Sequence, residues 1–169
     1  KQKFPNIHFI DLIIPTIKLS LKLSKNKNVG VIATTATIKS HVHKKYLKKE
    51  NVSIFEAEAP LLAPMIESIN TTDNEIELQL KKYIKPLVLN GIDTLILGCT
   101  HYAFLEKNIQ KLFPKLKIVS AENCINEFNI LPEKTKDIIF YSSSLNNFSK
   151  KVQKFLTKKD TLKVQFQSF

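Results

Sequence analysis

Glycine, cysteine, arginine and tryptophan are scarce or missing in this sequence of 169 residues, and each shortage excludes a class of function. The three glycines are not spaced as in G-x-G or P-loop motifs, so the usual nucleotide-binding fingerprints are absent. Two cysteines are too few for a disulfide framework or a four-cysteine zinc site, which favours a reducing, cytoplasmic compartment. No apolar run reaches the roughly 18 residues that a membrane span needs, so we expect no membrane association.

Positive charge is abundant, but it is of one kind. The net charge of +11 raises nucleic-acid binding as a candidate function. Every basic residue is a lysine, however, and lysine lacks the planar fork with which arginine reads guanine and phosphate. We therefore expect solvated lysine-rich faces rather than a nucleic-acid interface.

Short apolar strands alternate with amphipathic helices along the chain. Strands are predicted at residues 7–10, 28–33, 52–56, 92–98, 116–119, 137–141 and 162–166. Helices are predicted at residues 15–24, 34–49, 60–69, 72–89, 102–113 and 145–156. This alternation is typical of an α/β fold built from βαβ units around a mainly parallel sheet.

Two predicted strand ends carry polar side chains, and ligands bind at such ends in parallel sheets. The first is the segment Ala33-Thr34-Thr35-Ala36-Thr37. Hydroxyls and free amides at a helix start suit an anion such as a carboxylate. The competing interpretation is that these threonines only cap the helix.

The second strand end is the segment Gly98-Cys99-Thr100-His101. A cysteine at a strand-to-helix turn can be held as a thiolate, with His101 assisting, and can then act as a nucleophile or general base. The competing interpretation is a buried, inert cysteine.

The remaining cysteine and the histidine pair favour structural roles. Cys124 follows Ala-Glu-Asn, without polar partners for catalysis, so we interpret it as structural. His41 and His43 are two residues apart on a predicted helix and so point to different faces. We therefore predict surface histidines rather than a metal site.

Three blocks of sequence resemble one enzyme family. They are VGVIATTATIKSHVHKKY, APLLAPMIE and GIDTLILGCTHYAFLEKNIQ, at residues 29–46, 59–67 and 91–110. By these blocks the chain resembles the aspartate/glutamate racemase family, which is cofactor-independent. The resemblance implies a two-lobed α/β enzyme that interconverts L- and D-glutamate for peptidoglycan precursors.

The resemblance also implies roles for particular residues. The family uses two thiols, one on each side of the substrate Cα, and Cys99 matches the second of them. By the same match His101 would tune the Cys99 thiol, and Glu67 would orient His101. The substrate would be bound by Thr34 and Thr37, which hold a carboxylate, and by Thr100 and His101.

Other family features are missing from this chain. The aspartate-serine-glycine and Cys-Asn-Thr blocks of the family's first half-domain have no counterpart, and Cys124 cannot replace the first cysteine. We therefore expect a self-contained lobe at residues 11–119, and at residues 120–169 the C-terminal part of an incomplete other lobe. The expected partners are glutamate and either the missing N-terminal half-domain or a second copy of this chain. We expect the isolated chain to be inactive.

Two other functions stay open from the sequence. A catalytically dead remnant, or a domain that binds an acidic ligand or a partner without catalysis, would also lack the first cysteine. A basic nucleic-acid-binding protein is the least favoured alternative, since only the net charge supports it.

Overall fold

The computed structural model describes residues 11–125, 137–142 and 163–168, with side chains for residues 11–124. The strand predicted at residues 7–10 and the helix predicted at residues 145–156 lie outside the described residues.

A four-stranded sheet in the order β2-β1-β3-β4 forms the centre of the described lobe. All of its neighbouring pairs are parallel, which confirms the predicted α/β class. The strands are β1 (Asn28–Ala33), β2 (Ser53–Glu58), β3 (Thr94–Leu97) and β4 (Lys117–Val119). The two inner strands, β1 and β3, are almost entirely buried, as expected when helices cover both faces of a parallel sheet.

Helices pack on both faces of this sheet. They are α1 (Ile13–Leu23), α2 (Thr35–Lys39), α3 (Val42–Leu47), α4 (Leu62–Glu67), α5 (Asp73–Leu89), α6 (Glu106–Leu112) and α7 (Ala121–Ile125). The 3₁₀ helix Lys48–Glu50 follows α3, and the 3₁₀ helix Thr100–Leu105 precedes α6. One face of the sheet packs against α4, α5 and α6 through residues such as Leu80, Ile84 and Ile109. The other face packs against α1 and α3 through Ile17 and Leu47.

The longest helix, α5, follows directly from its local sequence. Thr72 caps it in a capping box: the Thr72 hydroxyl accepts from the Glu75 amide, and the Glu75 carboxylate accepts from the Thr72 amide. The predicted apolar positions Ile76, Leu80 and Ile84 are all buried.

The helix predicted at residues 34–49 is wrong as a single element. The chain breaks between α2 and α3 at His41, which adopts a left-handed conformation with φ 54°. On α3, His43 and Leu47 are four residues apart, so they lie on one helix face, and both are buried. His43 is only 3% exposed, so its assignment as a surface histidine is also wrong, whereas His41 is exposed as expected.

The two later described segments form a separate pair of strands. Strands β5 (Asp137–Ser142) and β6 (Lys163–Ser168) pair in parallel, with Ile138 opposite Val164. Both overlap predicted strands. In the described part of the chain, no helix is long and apolar enough to cross a membrane.

Candidate functional site

The sheet register brings the two polar strand ends together. Ile32 of β1 pairs with Leu97 of β3, and the Gly98 amide donates to the Ile32 carbonyl at 2.8 Å. Thr34 and Cys99 therefore follow neighbouring parallel strands at the same edge of the sheet. This is where ligands bind in open α/β sheets.

Gly98 is required by the close approach of these strand ends. A Cβ at this position would lie 2.9 Å from the Ala33 Cβ, 3.1 Å from the His43 Cε1 and 3.3 Å from the Ile32 carbonyl oxygen. Only a residue without a side chain fits this space. This close packing at Gly98 holds the next residue, Cys99, close to the end of β1.

Cys99 lies at the start of the 3₁₀ helix Thr100–Leu105 and is partly exposed. It lines two adjoining cavities. The first, which we call the Cys99 pocket, has a volume of about 190 Å³ and is also lined by Thr16, Thr37, His43 and Thr100. The second, of about 320 Å³, is lined by Phe104 and Glu122 on its other side. The thiol is thus accessible to a small ligand.

Thr34 and Thr37 form a hydroxyl pair beside this pocket. Their Oγ1 atoms are 3.1 Å apart, so one hydroxyl donates to the other and a single hydroxyl hydrogen is left for a ligand. Thr34 occupies the N-cap position of α2, but its side chain makes no capping hydrogen bond. The neighbouring Thr35 is engaged elsewhere, since its hydroxyl donates to Glu58 at 2.8 Å.

His101 and Glu67 also meet. The His101 Nε2 lies 3.0 Å from the Glu67 Oε1, and the two side chains are 38% and 41% exposed. The turn that carries His101 is anchored by Tyr102, whose buried hydroxyl donates to the Ala59 carbonyl at 2.7 Å. Burial, and secondarily the charge of a Cys99 thiolate, raises the pKa of Tyr102, so that this hydroxyl stays protonated at neutral pH.

The structure therefore groups the predicted site residues in two contiguous sets. Thr37, Cys99 and Thr100 line one pocket, to which Thr34 is joined through Thr37. Glu67 pairs with His101, which follows Thr100 directly. Cys124 is fully buried, and its Sγ donates to the Ser120 carbonyl at 3.6 Å, in keeping with a structural cysteine.

His43 and Thr16 are pocket residues that the sequence analysis missed. The signal for His43 was its i,i+4 spacing from Leu47, which places both on one helix face. For Thr16 no local signal exists, because the contact depends on how α1 crosses the sheet. Across the described residues, no cluster of three His, Cys, Asp or Glu is placed to hold a metal ion.

Residues 2–124 match the family model described as Asp/Glu/Hydantoin racemase. The chain is also similar to the glutamate racemase of a Sulfurihydrogenibium species, at 40% identity over 85% of this chain and 58% of the relative. The chain thus spans less than two thirds of the length of that curated relative.

Two solved structures of glutamate racemases are also similar to this chain. A crystal structure of glutamate racemase isoform RacE1 from Bacillus anthracis superposes with a TM-score of 0.79 at 26% identity, over 99% of this chain and 66% of that one. Glutamate racemase from Francisella tularensis, solved in complex with D-glutamate, gives a TM-score of 0.77 at 27% identity. That match covers 98% of this chain and 65% of the other.

Proposed function

The chain belongs to the Asp/Glu/hydantoin racemase family, and on that basis we propose that it forms one half of a glutamate racemase active site. The observation that supports this most directly is the position of Cys99. Its thiol follows β3, lines a small pocket and lies at the same sheet edge as the Thr34–Thr37 hydroxyl pair. A base and a carboxylate-binding group are therefore close together.

In the proposed reaction Cys99 acts on one face of the substrate Cα. As a thiolate it takes the α-proton and becomes a thiol, while the electron pair of the broken C–H bond is delocalised into the adjacent carboxylate. Inversion then requires an acid on the opposite face. Cys124 is fully buried and is not available for this step. We propose that the opposing thiol is supplied by an N-terminal half-domain.

The other predicted residues take binding and positioning roles in this proposal. Thr34, Thr37 and Thr100 hold the substrate, with the hydroxyl pair directed at a carboxylate. His101 acts on the Cys99 thiol, and Glu67 orients His101 through the 3.0 Å contact. No cofactor is invoked, because the thiols exchange the proton themselves.

The product would be D-glutamate for peptidoglycan precursors, and loss of the activity would affect cell-wall synthesis and cell shape. We place the reaction in the cytoplasm, since a catalytic thiol must stay reduced.

Proton exchange in heavy water tests this proposal. The purified chain is incubated with L- or D-glutamate, and the α-proton signal and optical rotation are followed together. We expect no racemization. We expect binding of glutamate and slow α-proton exchange of one enantiomer, abolished in Cys99→Ala and kept in Cys124→Ala.

Other outcomes distinguish the alternatives. Racemization that Cys99→Ala abolishes would place a second acid within this chain and contradict the half-site proposal. Failure to bind either enantiomer would contradict the assignment to glutamate. Binding without exchange would favour the second candidate, a carboxylate-binding domain without catalysis, which the single accessible thiol of the described residues supports.

A further inference from the structure

His43 is a buried polar residue in the wall of the Cys99 pocket. It lies on α3, its residue surface is 3% exposed, and its Cε1 approaches Gly98, the neighbour of Cys99. The pocket that it lines also contains Thr37 and the thiol. Its position therefore belongs to the site, although it is distant from Cys99 in the sequence.

The His43 Nδ1 has no hydrogen-bond partner among the described residues. Buried polar atoms are nearly always paired, because an unpaired one loses its hydration without compensation. Burial also lowers the pKa of His43, so the ring is neutral at physiological pH and carries one N–H donor. The Cys99 pocket, which His43 lines, is a place where a polar ligand group can supply the missing partner.

The pocket wall indicates which chemical group that partner is. Its polar side chains are the hydroxyls of Thr16, Thr37 and Thr100, the Cys99 thiol and the His43 ring, with neither a carboxylate nor a lysine among them. The Thr16 hydroxyl already donates to the Ile13 carbonyl, but the Thr37 and Thr100 hydroxyls and a His43 N–H can donate to a carboxylate. The wall has no carboxylate that would balance the charge of an ammonium group. A volume of about 190 Å³ is roughly six water molecules of about 30 Å³ each, which suits a ligand of amino-acid size.

We propose that His43 is a substrate-binding residue, whose Nδ1–H donates a hydrogen bond to the carboxylate that Thr37 also contacts. This rests on the proposed function, since the carboxylate is that of bound glutamate. The assignment explains why a polar ring is buried here at a cost in stability. Sites that bind a ligand commonly carry such a cost in the free protein.

Substitution of His43 separates binding from structure. His43→Phe replaces the imidazole with a slightly larger apolar ring and removes both nitrogens, whereas His43→Asn keeps an amide near the position of Nδ1. Glutamate affinity is measured by NMR titration, and stability by thermal melting. We expect His43→Phe to weaken binding by about 10- to 100-fold, the effect of losing a hydrogen bond to a charged group, and His43→Asn to restore most of it.

The melting temperature distinguishes a binding role of His43 from a purely structural one. Because the unpaired atom is removed, His43→Phe should melt no lower than wild type. The control His41→Asn, at an exposed position where asparagine tolerates positive φ, should change neither quantity. In wild type, the ¹⁵N shift of the His43 Nδ1 should move when glutamate is added.

The outcomes that contradict the proposal are specific. Equal glutamate affinity in His43→Phe and wild type would overturn the role of His43 and leave the proposed function standing. A wild-type chain that binds neither enantiomer would overturn both. If His43→Phe does not fold, an Nδ1 shift that stays constant on saturation with glutamate would overturn the assignment by itself.

Discussion

His101 and Glu67 are 34 positions apart in the chain, yet the His101 Nε2 lies 3.0 Å from the Glu67 Oε1. The contact joins the end of α4 to the 3₁₀ helix that follows Cys99. Both side chains are more than a third exposed, so water screens their attraction. The pair therefore contributes little to the stability of the fold, and we propose that its role is to orient His101.

Glu67→Ala should accordingly affect reactivity more than stability. We expect the free energy of unfolding to change by less than about 1 kcal/mol, as for exposed ion pairs. The rate at which iodoacetamide alkylates Cys99 should fall severalfold, because in the proposed function His101 acts on the thiol only when Glu67 orients it. Glu50→Ala, at an exposed position, serves as the control. An unchanged alkylation rate would count against the positioning role of Glu67.

The two cysteines should differ sharply in reactivity. Cys99 is partly exposed, whereas Cys124 is fully buried. A colorimetric thiol reagent should therefore titrate one thiol rapidly in the native chain and the second only after denaturation. Cys99→Ala should abolish the fast phase and Cys124→Ala should leave it intact. Two fast thiols in the native protein would be inconsistent with this structure.

Gly98→Ala should destabilise the protein more than Gly30→Ala, although the nearest contact at Gly30 is shorter. At Gly98 the new Cβ meets the Ala33 Cβ and the Ile32 carbonyl oxygen, which cannot move without the strand. At Gly30 it meets the Ile92 Cδ1 at 2.5 Å, the end of a flexible side chain. Overpacking at Gly98 should cost about 1–3 kcal/mol, measured by urea unfolding. The reverse order of the two variants would contradict this explanation.

Asp93 links three segments of the lobe, and its contribution should depend on pH. Its Oδ1 accepts from the hydroxyls of Ser24 and Thr94, and its Oδ2 from the amides of Lys25 and Asn26. Burial alone would raise the pKa of Asp93, but these hydrogen bonds together lower it. The stabilisation is therefore fully present above the unfolded-state pKa and is lost as the pH falls through the folded-state value.

Asp93→Asn tests this dependence, because the amide nitrogen cannot accept from the donors that face it. The variant should lose about 1–3 kcal/mol of unfolding free energy at neutral pH. The difference from wild type should shrink as the pH is lowered from neutral to below the folded-state pKa of Asp93, where the wild-type carboxylate is itself protonated. If the difference in unfolding free energy stays constant over this pH range, the charge of Asp93 is not the source of its stabilisation.

We propose that the boundary between the two lobes lies just after β4, between residues 11–119 and 120–169. Helix α7 and its buried Cys124 still contact α1, so the first proteolytic cut should fall on the C-terminal side of Cys124. Limited trypsin digestion followed by mass spectrometry locates the cut. Equal protection of residues 11–119 and 120–169 would contradict the division into lobes.

Local sequence determined the elements that depend on near neighbours. The capping box of Thr72 and Glu75 begins α5, and the spacing of Ile76, Leu80 and Ile84 selects its buried face. The apolar run Leu95-Ile96-Leu97 predicts most of β3, because a strand buried on both faces favours apolar side chains on both faces. The same stretch of sequence places Cys99 directly after β3, where its side chain is partly exposed.

The tertiary structure alone decided which of these elements meet. The order β2-β1-β3-β4 brings Thr34 beside Cys99, and no short-range pattern encodes that order. The contact between Glu67 and His101 depends on how α4 packs against the turn after β3. His43 lines the pocket because α3 packs its buried face against the strand end that carries Gly98 and Cys99. Such outcomes follow from the packing of distant segments, whose free energy a local pattern does not contain.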